Sequence, residues 1–210
     1  MRFLECIKEK PIGIYPVVDK TDKLEPLYKC GITTAQLRIK DMQEEKLEQE
    51  IINAIAISKK YGVRLFINDY WQLAIKHNAY GIHLGQEDIL DANIDDIYQA
   101  GIRLGISTHT PKEIKIALDI EPSYVAIGPI YKTTSKKMVY NPVGIEDLIA
   151  WSNKVDYPIV AIGGINLDTI QSVVDTYCVS GISMIGGVLE NNQVSIEKTQ
   201  KLIEIFENAK

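Results

Sequence analysis

Eight short runs rich in apolar, β-branched and aromatic residues punctuate the chain: Gly13–Val18, Ala35–Ile39, Arg64–Ile67, Gly81–Leu84, Arg103–Ser107, Tyr124–Ile127, Ile159–Ile162 and Gly181–Ile185. Between most of them the apolar positions switch to steps of three and four, the signature of helices that bury one face. Leu47, Ile51, Ala54 and Ile55 make this stripe within Gln43–Tyr61, with polar Ser58 next on that face and Gly62 as a stop signal. Trp71, Leu73, Ala74 and Ile75 make a turn and a half of the same kind between the third and fourth runs. Thr110 can cap, and Pro111 open, a helix over Lys112–Asp119; Asn166 can cap Leu167–Tyr177; Ser195 begins a last helix through Phe206. Crossovers of this length join parallel strands. Eight β/α alternations therefore predict an α/β chain forming a single (β/α)8 TIM barrel over residues 1–210, small against the usual length of about 250 residues.

The segment Gly128–Gly144, GPIYKTTSKKMVYNPVG, shows no apolar periodicity. A connection of this size in a compact domain is usually an active-site lid or a disordered segment, and this one leaves a strand's carboxyl end, so it is expected to overhang the active face. No run of uncharged apolar residues is long enough for a membrane span, and charged residues interrupt the amino-terminal stretch where a signal peptide would be apolar; a cytoplasmic protein is expected. Cys6, Cys30 and Cys178 are three, far apart and without metal-ligand spacing, which reads as isolated thiols. A net charge of -5 argues against a general nucleic-acid binder but not against small anionic ligands.

Candidate chemistry gathers at the carboxyl ends of the runs. If Leu37 and Ile39 pack outward, alternation points Gln36, Arg38 and Lys40 into the barrel, where two cations and an amide suit phosphate oxygens. The plainer alternative has Lys40 and Asp41 starting a solvated loop and Arg38 pairing internally. Asp69 and Asp88 follow neighbouring runs, so their carboxylates share one rim and could hold Mg²⁺ together with bridging phosphates. Asn68 could bond the same anion, or Asn68 or Asp69 could cap the next helix; Glu87 competes with Asp88. Ser107, Thr108, His109 and Thr110 offer hydroxyls and an imidazole at the fifth run, while His77 and His83 read as structural, His83 facing a helix. Thr133, Thr134, Ser135, Lys136 and Lys137 could close over phosphates from the long segment. Gly163-Gly164 and Gly186-Gly187 follow the last two runs, where barrels of this kind often bind phosphate through backbone amides.

Taken in order from about Gly13 through Gly187, the motifs GIYPVVD, GITTAQLRIKD, INDYWQLAIKHNAYGIHLGQED, GISTHT, AIGPIYKTTSKK and VAIGGIN resemble the thiamine-phosphate synthase family. The resemblance implies a Mg²⁺-dependent transferase that joins a phosphorylated pyrimidine to a phosphorylated thiazole, releasing pyrophosphate by a dissociative course. Carried over by motif, Gln36, Arg38, Lys40, Asn68, Ser107 and Lys136 would hold the diphosphate, Asp69 and Asp88 the metal, and Thr133, Ser135, Gly164, Ile185 and Gly186 the thiazole phosphate. Of these, Arg38, Lys40, Ser107 and Lys136 would serve the chemical step. Three departures fall in the long segment, where Lys132 replaces the family's proline, Ser135 its threonine and Met138 its aspartate; a fourth is Gly186-Gly187, where the family motif contains serine. A thiazole tautomerase or a non-catalytic binder of thiamine precursors shares the barrel and stands as the alternative. A homo-oligomer is compatible with the pattern, because an exposed helix face and a dimer-forming one look alike in one sequence.

Overall fold

Strands buried on both faces are what a parallel sheet requires, and the eight runs form one: a closed parallel barrel in the order β1 (Gly13–Val18), β2 (Thr34–Leu37), β3 (Arg64–Asn68), β4 (Gly81–Leu84), β5 (Arg103–Thr108), β6 (Tyr124–Ile127), β7 (Ile159–Ile162) and β8 (Gly181–Met184), with β8 pairing back onto β1. The computed structural model describes residues 2–6, 11–133 and 140–209. The crossovers are α1 (Leu24–Lys29), α2 (Glu44–Tyr61), α3 (Trp71–Lys76), α4 (Gln86–Asp91) with α5 (Ile94–Gln99), α6 (Pro111–Ile120), α7 (Gly144–Ser152) and α8 (Ile170–Val174). After β8 a two-stranded hairpin, β9 (Leu189–Glu190) and β10 (Gln193–Val194), leads into α9 (Ile196–Asn208). The expected (β/α)8 barrel is thus observed.

Local chemistry accounts for the element ends. Gly62 ends α2 in the left-handed region at φ 66. Thr110 caps α6, its hydroxyl accepting from the Glu113 amide, and Ser195 caps α9 through the Lys198 amide. The helix expected over Leu167–Tyr177 is shorter. Asn166 accepts instead from the Asp168 amide, a local turn that competes with the helix, so α8 starts only after Thr169.

Alternate strand residues feed two cores. Outward side chains such as Leu37, Leu65, Ile67, Ile82, Leu84 and Leu104 pack under the helices, whereas Tyr15, Phe66, Tyr124, Ala126 and Val160 fill the barrel interior together with Cys6 and Ile12. Cys6 closes the amino-terminal end of that interior: its thiol lies 3.9 Å from the Ser123 carbonyl, and the Tyr80 hydroxyl donates to its carbonyl. Among the described residues no helix is long and apolar enough to cross a membrane.

Burial pushes the Cys6 thiol up to about 12, and the thiolate is the reactive form. In native protein at about pH 8, a thiol reagent is therefore expected to modify the half-buried Cys30 and Cys178 while Cys6 reacts only on unfolding. Immediate modification of all three cysteines would refute the plug.

Candidate active site

The carboxyl ends of the strands surround a cavity of about 820 Å³, a size suited to small-molecule ligands. Tyr15, Gln36, Asn68, His83, Tyr124, Ala126, Val160 and Ser183 form its deeper lining, and Arg38, Lys40, Asp69, Glu87, Asp88 and His109 stand among its charged or titratable border. Nearly every sequence-predicted site residue among the described ones lines it: Gln36, Arg38, Lys40, Asn68, Asp69, Asp88, Ser107, Thr133, Gly164, Ile185 and Gly186. Ser135 and Lys136, with Thr134, Lys137 and Met138, lie outside the described residues.

The polar wall of β2 runs from depth to rim. Gln36 is buried and donates from Nε2 to the Tyr15 hydroxyl at 3.2 Å. Regular pairing of β2 ends at Leu37, but the Arg38 amide still donates to the Val18 carbonyl, and Ile39 packs outward as alternation requires. Lys40 emerges half exposed at the rim, where its ammonium meets Asp69 Oδ2 at 2.5 Å.

Asp69 sits at φ 65, a left-handed conformation that aspartate tolerates better than most residues. Its amide donates to the His83 carbonyl, so the β3–β4 ladder continues one step past the strand before the chain turns into α3. Neither Asn68 nor Asp69 caps α3; Tyr70 occupies the cap position without a side-chain bond. Asp88 belongs to the first turn of α4, and its Oδ2 accepts from the Gly85 amide at 3.1 Å. Burial, and after it the negative charge of Asp69, raises the Asp88 carboxyl above its ordinary range. That coupling distinguishes Asp88 from the exposed Glu87 as the acid that faces Asp69. No cluster of three or more His, Cys, Asp or Glu side chains arranged for a metal occurs among the described residues. The Asp69–Asp88 pair consists of hard oxygen donors only.

The residues at the end of β5 and just after it divide their labour. Ser107 faces the cavity, Thr108 is buried and donates to the Ala126 carbonyl, and Thr110 is a cap. His109 gains the partner that sequence could not name. Its Nδ1 lies 2.9 Å from Glu113 Oε2, and its ring stacks on Tyr140 at 4.4 Å.

Two glycine pairs border the other side of the cavity. Gly163 (φ 101) and Gly164 (φ 69) pass so close to Pro129, Tyr131 and Lys132 that a Cβ on either would stand 2.5 to 2.8 Å from the nearest atoms. Tight packing thus explains this pair, independently of any anion. A Cβ at Gly186 would meet nothing within 4 Å, so the serine expected of the family motif could be accommodated there and sterics do not demand glycine.

Sequence reasoning missed four interior residues. His83 does not face a helix: it is buried inside the barrel, Nδ1 2.7 Å from the Tyr124 hydroxyl and Nε2 2.8 Å from Ser107 Oγ. Tyr15 and Tyr124 join hydroxyls at 2.9 Å, and Ser183 Oγ is buried against the cavity with no hydrogen-bond partner among the described residues. The available signal was the alternation in GIYPVVD, GIHLG and SYVAIG, which separates each residue from its neighbours' face; in the structure Tyr15, His83 and Tyr124 share the inward face with Gln36 and Ser107.

A family model described as thiamine monophosphate synthase matches residues 14–188. A thiamine-phosphate synthase of Proteus mirabilis (strain HI4320) is 48% identical over 200 residues, covering 95% of this chain and 92% of the relative. One of Salmonella schwarzengrund (strain CVM19633) is 51% identical over 166 residues, 79% of each chain. The solved thiamine phosphate pyrophosphorylase from Pyrococcus furiosus superimposes with a TM-score of 0.82 at 25% identity, covering 94% of this chain and 96% of that one.

The acid pair at the rim has a consequence for stability. Because the folded-state pKa of Asp88 lies above its unfolded value, ionising it costs more in the folded chain; the cost is complete above the raised pKa and gone well below the ordinary 3.8. Asp88→Asn is therefore expected to stabilise the protein by roughly 0.5–1 kcal/mol at neutral pH without divalent cations, an advantage that fades as pH falls through the carboxylate range. Equal denaturant midpoints for the two proteins at neutral pH would contradict the coupling.

Proposed function

The chain belongs to the thiamine monophosphate synthase family, and from that membership we propose that it joins 4-amino-2-methyl-5-hydroxymethylpyrimidine diphosphate to 4-methyl-5-(2-hydroxyethyl)thiazole phosphate, giving thiamine phosphate and pyrophosphate. One observation carries the reading furthest. Cationic Arg38 and Lys40 border the same cavity as the Asp69–Asp88 pair, while the glycine turns after β7 and β8 border it too, leaving room for two phosphorylated groups in one chamber.

In this reading Gln36, Arg38, Lys40, Asn68 and Ser107 hold the diphosphate of the pyrimidine substrate. Lys40 exchanges its ion pair with Asp69 for phosphate oxygens when substrate enters. Asp69 and Asp88 suit Mg²⁺, a hard cation that takes few carboxylates and shares its coordination with phosphate; when bound it supplies charge neutralisation at the diphosphate. The bond between the pyrimidine methylene carbon and the diphosphate oxygen breaks with its electron pair leaving on pyrophosphate. Arg38 and Lys40 stabilise that charge as it develops. The methylene carbon, cationic and supported by the electron-rich aminopyrimidine, then accepts the lone pair of the thiazole nitrogen. No proton and no protein nucleophile are needed for the balance. Thr133, Gly164, Ile185 and Gly186 hold the thiazole phosphate; Ser135 and Lys136 keep the roles that the family resemblance implies. The partners are small molecules, and a transfer between two phosphorylated metabolites suits the cytoplasm.

Incubating the protein with both substrates and Mg²⁺ is expected to release thiamine phosphate and pyrophosphate in equal amounts, with chelation of the metal stopping turnover. Arg38→Ala should lower kcat/KM for the diphosphate by about 10²-fold, the usual cost of losing one charge-stabilising donor. Intact binding of the thiazole phosphate with no thiamine phosphate formed would overturn the assignment in favour of a tautomerase or a binding protein.

A further inference from the structure

Five side chains form an unbroken chain of hydrogen bonds across the barrel interior. Gln36 Nε2 donates to the Tyr15 hydroxyl at 3.2 Å; Tyr15 meets Tyr124 at 2.9 Å; Tyr124 meets His83 Nδ1 at 2.7 Å; and His83 Nε2 meets Ser107 Oγ at 2.8 Å. Each phenol has one proton to give. Burial raises both phenols well above their ordinary range, so neither gives that proton up altogether.

Tyr15 is buried, and the arrangement that keeps its proton inside the chain runs outward from Gln36. In that arrangement the Tyr15 oxygen accepts from Gln36 and its own proton goes to the Tyr124 oxygen. Tyr124 then donates to His83 Nδ1, which has to be bare. A neutral imidazole with a bare Nδ1 carries its proton on Nε2 and donates it to Ser107 Oγ. Ser107 is left with an O–H to place, and it lines the cavity.

The backbone is arranged for this contact. His83, Gly105 and Tyr124 stand in register on three successive strands. A Cβ at Gly105 would lie 2.1 Å from the Tyr124 ring, so only glycine lets that ring cross β5 and stack on the imidazole, with centroids 5.7 Å apart and planes 19° from parallel. We infer that Tyr15, Tyr124 and His83 are positioning residues that turn Ser107 into an obligate hydrogen-bond donor toward the ligand, so that the atom it meets is an acceptor. Resting on the proposed reaction, that acceptor is an oxygen of the pyrimidine substrate's diphosphate. Gly105 is the spacer that makes the chain continuous.

Nitrogen NMR of the full-length, ligand-free protein with labelled histidine tests the direction, the His83 resonances being assigned by their loss in His83→Asn. The expected result is a neutral ring protonated at Nε2. Tyr124→Phe, and separately Gly105→Ala, should abolish the single-tautomer signature. Tyr124→Phe should lower kcat/KM for the diphosphate substrate by about tenfold, as for one misdirected hydrogen bond, while KM for the thiazole phosphate is unchanged. In a Ser107→Ala background the same tyrosine change should cost nothing further, because its effect passes through that hydroxyl. Tyr15→Phe supplies a second variant should Tyr124→Phe fail to fold; it is expected to mix the tautomers. A wild-type ring protonated at Nδ1, or fully additive losses in the double variant, would overturn the inference. The tautomer is read without substrate, so an inactive wild type would count against the proposed reaction and leave this result standing.

Discussion

A closed barrel of eight short strands has one narrow interior, and every inward side chain competes for it. Here the competition is resolved by pairing large rings with gaps: Phe66 faces Gly81, and the Tyr124 ring lies across Gly105. Without those gaps the aromatic side chains could not fill the interior at native density. The rest depends on that packing. It puts the polar tips of Tyr15 and Tyr124 where they can bond one another, and so lets a polar network be buried at little cost.

Above this network the site changes character from dipoles to charges. Two acids near one another are costly, and Lys40 offsets one of them by contact with Asp69. Lys40 and Asp69 neutralise one another, yet each member of the group is poised for a different ligand group. Such compensation explains how a protein of net negative charge can offer a site for a highly anionic substrate: local placement, not total charge, sets the field in the cavity.

Much of this was legible from the chain itself. Four of the eight strands match their apolar runs residue for residue, because a strand buried on both faces has to be apolar throughout. Asp69 and Asp88 were legible as rim acids from position alone. Short helices such as Leu24–Lys29 and Gln86–Asp91 were not, since Pro26 interrupts the pattern of the first and the second has only Ile89 and Leu90 as apolar residues. His83 was misread for a different reason. Alternation says that it and Leu84 lie on opposite faces but not which face is inside, and an apolar neighbour is equally at home under a helix or within the barrel. The Tyr124 phenol, 41 residues away, and the Ser107 hydroxyl hold it inside the barrel. Gly163-Gly164 carried the opposite lesson: a pair that suits a phosphate also serves a crowded turn against Pro129 and Tyr131.

Among the described residues Cys6 and Ile12 pack the amino-terminal end of the interior, and the cavity lies at the carboxyl ends of the strands. Whatever is seated against Tyr15 and Tyr124 has to pass the rim on the way in, and anything held afterwards at the rim stands between it and solvent. In such a vessel depth becomes sequence: a guest seated low is reached and released past whatever stands at the rim.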